Sequence, residues 1–74
     1  MRAVIVGTHD LGESDRVVRL LGPERGRVDA VARGARRSRK RFGGALDPGT
    51  RVELTLSARG RLPSITQLDV EALA

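Results

Sequence analysis

Arg33, Arg36, Arg37, Arg39, Lys40 and Arg41 place six cations within nine residues, with no acid among them. Five are guanidinium groups, planar forks that grip phosphate oxygens two at a time and stay charged at any working pH. Gly34, Ser38, Gly43 and Gly44 lie in or beside the run, so the backbone can approach a phosphate chain closely. The chain has 14 Lys+Arg and 9 Asp+Glu, a net charge of +5. Outside the run, bases and acids nearly balance, so the excess is local. A cationic patch on a near-neutral scaffold points to a polyanion, most simply nucleic acid. The competing readings are a solvated charge run and a docking patch for acidic lipid or an acidic protein tail.

Other chemistries are poorly supplied. Phe42 is the only aromatic residue. Proteins that hold single strands by stacking use several aromatics, each worth roughly 1–3 kcal/mol. One ring cannot carry that mode, so phosphate contact must dominate. Little sequence preference and a steep salt dependence follow. Phe42 reads as a hydrophobic plug that anchors the basic loop. His9 is the only histidine and there is no cysteine, which excludes the usual zinc sites and any disulfide. His9 reads as a surface residue. Asp10, Glu13 and Asp15 cluster at the first turn. Grouped carboxylates suit Mg²⁺ or acid/base work, but turn and cap chemistry is their commoner use, and Arg16 beside them suggests a local ion pair. No glycine-rich phosphate loop opens a helix, and no nucleophile has a base nearby. The chain reads as a binding module, neither an enzyme nor a metal or cofactor protein. Arg16, Arg59 and Arg61 are secondary candidates for nucleic-acid contact.

The elements that must hold these residues read as short strands. Ala3 to Val6 is a β-rich apolar run, and Gly7 allows a bend or bulge. Leu11 to Ser14 is a turn. Arg16 to Leu21 is a second strand, apolar enough for burial on much of both faces. Gly22-Pro23-Glu24-Arg25-Gly26 makes a turn, with positive φ expected at Gly26. The third strand puts Val28, Ala30 and Ala32 on one face; such small side chains suit a tightly curled sheet or a close neighbour. Residues 34 to 46 carry no strand pattern and read as a basic loop, with one helical turn near Ser38 to Phe42. Asp47-Pro48-Gly49 fits a type II turn. Val52, Leu54 and Leu56 alternate with Glu53, Thr55 and Ser57 in the clearest strand. After a tight connection at Arg59-Gly60-Arg61, residues 62 to 70 make a fifth strand. Ile65 is out of phase with Leu68 and Val70, which predicts a bulge at Thr66 or Gln67, and Pro63 places the strand's start at an edge.

Five strands, with the longest excursion between the third and fourth, predict an all-β domain: a five-stranded OB-fold barrel, with an SH3-like barrel as its rival. Seventy-four residues make one small domain with a marginal core. The N-terminal apolar run is too short for a signal peptide or a membrane span, so a soluble intracellular protein is expected. Val70 and Leu73 would suit a neighbouring domain, which suggests that the natural chain continues.

Several runs together resemble the N-terminal domain of the RecO family of bacterial recombination mediators. They are Gly12-Glu13-Ser14-Asp15-Arg16, Leu20-Leu21, Glu24-Arg25-Gly26, Ala32-Arg33-Gly34-Ala35-Arg36-Arg37 and Ser38-Arg39-Lys40-Arg41-Phe42-Gly43-Gly44-Ala45-Leu46-Asp47-Pro48. The resemblance covers nearly all of residues 1–74 and implies an OB-fold nucleic-acid-binding domain, without the helical C-terminal domain of full-length members. It further implies a cytoplasmic, nucleoid-associated protein that binds single- and double-stranded DNA and anneals complementary strands. With RecR it would help load RecA onto DNA coated by single-strand-binding protein (SSB), the SSB contact belonging to the missing C-terminal part. By position it assigns DNA contact to Arg36 and Arg37, with Arg33, Arg39, Lys40 and Arg41 beside them. One departure is Gly49, where the family often has a bulky residue; looser packing at the start of the fourth strand is the expected consequence. An RNA-binding module and a protein-docking module stay open as alternatives.

Overall fold

The computed structural model describes residues 1–37, 42, 46–58 and 60–73. Five strands account for most of them: β1 (Arg2–Leu11), β2 (Asp15–Gly22), β3 (Gly26–Ala32), β4 (Arg51–Ser57) and β5 (Ser64–Ala72). They close into a barrel in the order β1-β2-β3-β5-β4. All pairings are antiparallel except β3 with β5, which meet in parallel at Val31 and Ser64. The expected small OB-type barrel is observed. Among the described residues no helix is long and apolar enough to cross a membrane.

The inner face follows the period-two pattern of the sequence. Ile5, Val18, Leu20, Ala30, Ala32, Val52, Leu54 and Ile65 form one buried cluster. Ala30 and Ala32, both fully buried, belong to the cluster that also takes in Phe42 and Leu46 from the long β3–β4 connection. Small side chains on β3 thus accompany a ring brought in from outside the barrel wall. Phe42 is 6% exposed, in keeping with its reading as a plug. The helical turn expected from Ser38 to Phe42 lies outside the described residues, apart from Phe42 itself.

Several turns have their expected chemistry. Gly26 leaves the β2–β3 turn at φ 68°. Thr50 N–H donates to the Asp47 carbonyl at 3.2 Å, and Gly49 has φ 92°, as a type II turn requires. In the β4–β5 ladder Thr55 pairs with Gln67 and Leu56 with Ile65, which leaves Thr66 as the bulge. Thr66 turns its hydroxyl back to the Thr55 carbonyl at 3.2 Å. In β1 the register slips between Ile5 and Gly7, so Val6 is the extra residue, 49% exposed.

Some expectations are corrected. β1 does not stop at Val6 but runs to Leu11, because Gly7 to Leu11 pair with Arg19 to Asp15 of β2. His9 is therefore mid-strand, though exposed as expected. β2 is buried on both faces only at Val17 and Val18; Leu21 is 52% exposed. β5 begins at Ser64 and not at residue 62, because the Pro63 carbonyl already accepts from Val31 N–H at 2.8 Å, at the edge where β3 and β5 meet. Gly49 is tied by its backbone to β1 at the start of β4. Its N–H donates to the Ile5 carbonyl at 2.7 Å, Ile5 N–H donates to the Thr50 carbonyl at 2.9 Å, and Thr50 is fully buried.

Candidate nucleic-acid interface

The exit of β3 meets the β1–β2 turn on one side and the start of β5 on the other. Gly34 is the pivot. Its φ of 73° is the left-handed conformation that L side chains avoid, and it reverses the chain immediately after β3. Two successive turns follow, with Ala35 N–H donating to the Ala32 carbonyl at 3.4 Å and Arg37 N–H to the Gly34 carbonyl at 3.0 Å. The reversal lays residues 34–37 against the β1–β2 turn. Gly34 N–H donates to Asp15 Oδ1 at 2.8 Å. Arg36 N–H donates to the Ser14 carbonyl at 2.9 Å.

The arginines of this region have different surroundings. Arg36 Nη1 donates to the Gly12 carbonyl, and its Nε lies 3.5 Å from Asp10 Oδ2. Arg33 is exposed, with Nε donating to Ser64 Oγ at 3.2 Å on β5. Arg37 is exposed, and its side chain has neither an ion pair nor a hydrogen bond among the described residues. Arg61, just before Pro63, is likewise exposed. Arg33 and Arg37, at the exit of β3, and Arg61, in the β4–β5 turn, thus have no carboxylate partner among the described residues. Arg39, Lys40, Arg41 and Arg59 lie outside the described residues.

Elsewhere on the barrel wall, acids meet the arginines. Arg19 and Asp29 are cross-strand partners with Nε–Oδ1 at 3.8 Å, and Arg27 Nη2 lies 3.6 Å from Asp29 Oδ2. Arg2 lies 3.6 Å from Glu53 and 3.5 Å from Glu71. Arg16 pairs with Asp10 at 3.4 Å and not with its sequence neighbours Glu13 or Asp15. The reason is the ladder: Asp10 is directly opposite Arg16, whereas adjacent strand residues point to opposite faces. Exposed pairs like these add little stability, but they cancel charge locally. Arg25 and Arg51 also lack an acid partner among the described residues, and both lie by the far β2–β3 turn around Pro23.

The acids of the first turn are engaged by protein groups. Asp10 faces Arg16 and Arg36, and Asp15 caps the Gly34 amide. Among the described residues no cluster of three or more His, Cys, Asp or Glu side chains is placed to hold a metal ion. At the far end, a shallow cleft of about 440 Å³ between Met1, Arg2, Pro23, Arg25 and Glu53 offers no nucleophile with a base. Sequence reading took Asp10 and Asp15 for turn chemistry but missed that they hold the arginine segment. The Gly34 pivot was the available signal, since a reversal there must bring Arg36 back toward the first turn.

The sequence model described as "Recombination protein O N terminal" matches residues 1–73. The chain belongs to the RecO N-terminal family. It is 51% identical over 67 residues to the DNA repair protein RecO of a Nocardioides species, covering 90% of this chain and 28% of that protein. To the RecO of Thermobifida fusca it is 46% identical over 66 residues, 89% of this chain and 27% of that one. To the RecO of an Anaeromyxobacter species it is 54% identical over 59 residues, 80% and 23% respectively. The RecO N-terminal chain thus spans about a quarter of the length of the curated relatives it matches.

Proposed function

We propose that this RecO N-terminal domain binds DNA by its phosphates, with little regard for sequence, at the exit of β3, between the β1–β2 turn and the start of β5. The observation that carries the reading is the uneven pairing of its arginines. Arg33 and Arg37 at the exit of β3, beside the six-cation run, have no acid, while Arg2, Arg16, Arg19 and Arg27 are matched on the wall. In OB-folds the β1–β2 and β4–β5 loops are common ligand contacts, and here the β1–β2 turn and the start of β5 flank the exit of β3. Arg39, Lys40, Arg41 and Arg59 extend the same footprint in sequence. Arg16 is a weaker candidate, half-buried and paired with Asp10.

Neutralising phosphates releases counterions and lowers the repulsion between two strands. This is the physical basis for annealing complementary DNA, and it supports single- and double-stranded DNA as ligands. In the whole protein we assign the domain to DNA repair in the bacterial cytoplasm, where it works with RecR to help load RecA onto DNA coated with SSB. The SSB contact falls to the part of the protein beyond this chain. The proposed role is binding and bringing together, without catalysis.

Fluorescence anisotropy with a labelled single-stranded oligonucleotide tests the reading. Reversing Arg33 and Arg37 to Glu together should weaken binding by at least tenfold at low salt, since each lost phosphate contact is charge-assisted. Unchanged binding would remove the exit of β3 from the interface. Competition by equal-length RNA, if stronger than by DNA, would redirect the proposal to an RNA-binding module.

A further inference from the structure

Asp15 is a negative charge beside the proposed DNA interface. On electrostatic grounds alone it should oppose a polyanion, and its removal should tighten binding. The geometry around it suggests the opposite role. Its carboxylate accepts the Gly34 N–H at 2.8 Å, at the pivot of the chain reversal. Immediately beyond, Arg36 ties the segment to the same turn through the Ser14 and Gly12 carbonyls and through Asp10. The four tethers come from different atoms of residues 10–15 and converge on Gly34 and Arg36. Arg37, the next residue, has no side-chain tether of its own. Where its backbone starts that side chain is therefore set by what fixes Gly34 and Arg36.

We infer that Asp15 and Arg36 are positioning residues for DNA binding: together they dock the arginine segment on the β1–β2 turn, so that the acid strengthens the grip on a polyanion which its charge alone would repel. The inference rests on the interface reading above and adds that the segment must be held in place to bind well. An untethered segment would have to be ordered at the moment of binding, and that cost would appear as lost affinity.

The test separates hydrogen bond from charge. Asp15→Ala and Asp15→Asn both remove the charge, but Asn keeps an oxygen that can accept the Gly34 N–H. Positioning predicts that Asp15→Ala weakens binding of a labelled single-stranded oligonucleotide roughly five- to tenfold, the size of one ordinary hydrogen bond. Asp15→Asn should bind within about twofold of the unsubstituted chain, or more tightly. Equal tightening by both substitutions would overturn the inference, because Asp15 would then act only through its charge. Amide hydrogen exchange gives a readout independent of binding: Asp15→Ala should speed exchange at Gly34 and Arg36 while leaving the β4 core amides protected. Unchanged exchange at Gly34 and Arg36 would also overturn it. Global loss of protection would show that Ala had unfolded the barrel, and Asp15→Asn beside Asp15→Gln, which moves the acceptor by one methylene, then supplies the comparison. A chain that fails to bind even without substitution would overturn the interface reading, and the exchange data would still decide whether Asp15 holds the segment.

Discussion

Arg36 and Arg37 are neighbours in sequence, yet different forces act on them. Arg36 uses its fork on the Gly12 carbonyl and Asp10, so its charge is partly spent within the protein. Arg37 is exposed with its side chain untethered. The two should respond differently to truncation. Arg36→Ala should lower stability by about 1 kcal/mol and also weaken binding. Arg37→Ala should weaken binding and leave stability within about 0.5 kcal/mol of the original. Urea midpoints beside oligonucleotide titrations check both; equal stability losses would contradict the distinction. Thr50 offers a second test at this scale. Its hydroxyl is fully buried and finds no hydrogen-bond partner among the described residues. Thr50→Val keeps the branched shape and removes the unsatisfied group, so the urea midpoint should rise, by about 1 kcal/mol. A lower midpoint would mean that the hydroxyl is satisfied in solution. Residue type was legible in the sequence, since the positive run is what points to a polyanion. Which arginine is tethered was not legible, because Asp10 and Asp15 lie on other strands and meet the segment only after the chain reverses.

At the scale of elements, the barrel ties its loops by a few backbone devices. Gly34 at φ 73° turns β3 back upon the first turn. No atom lies within 4 Å of where a Cβ would sit, so the obstacle to substitution is backbone strain and not crowding. Gly34→Ala should therefore cost about 1–2 kcal/mol and weaken oligonucleotide binding by displacing residues 35–37. Unchanged stability and binding would show that the left-handed pivot is dispensable. Phe42 secures the other side of the same connection by its burial with Leu46 in the core cluster. The number of strands and most turns could be read directly from residues. Pro48-Gly49 and Gly26 demand particular φ values, and the phase slip at Ile65 required a bulge, found at Thr66. The length of β1 could not be read that way. Thr8, His9 and Asp10 carry no apolar alternation, and their strand exists because β2 pairs with them. Tertiary pairing, not propensity, decided that segment.

For the whole molecule, charge is arranged by topology. Cross-strand ladders match acids with arginines along the wall, while Arg33 and Arg37 stay unmatched where β3 leaves it, as do Arg25 and Arg51 by the β2–β3 turn. In the sequence the excess of positive charge falls within residues 33–41. The sequence could not show that Ser64 reaches Arg33, since that proximity depends on the parallel meeting of β3 and β5 at Val31 and Ser64. The core that holds this arrangement is small. Leu20→Ala, at a fully buried position, should remove about 2–5 kcal/mol and with it much of the stability of a domain this size. The central claim, that an electrostatic grip at the exit of β3 binds DNA, is tested most directly by measuring affinity for a single-stranded oligonucleotide across a salt series. With about four to six phosphates neutralised, log K against log salt should fall with a slope near −3 to −4. Reversing Arg33 and Arg37 to Glu should flatten that slope by about 1.4. A slope near zero, or one that the double reversal leaves unchanged, would contradict the account.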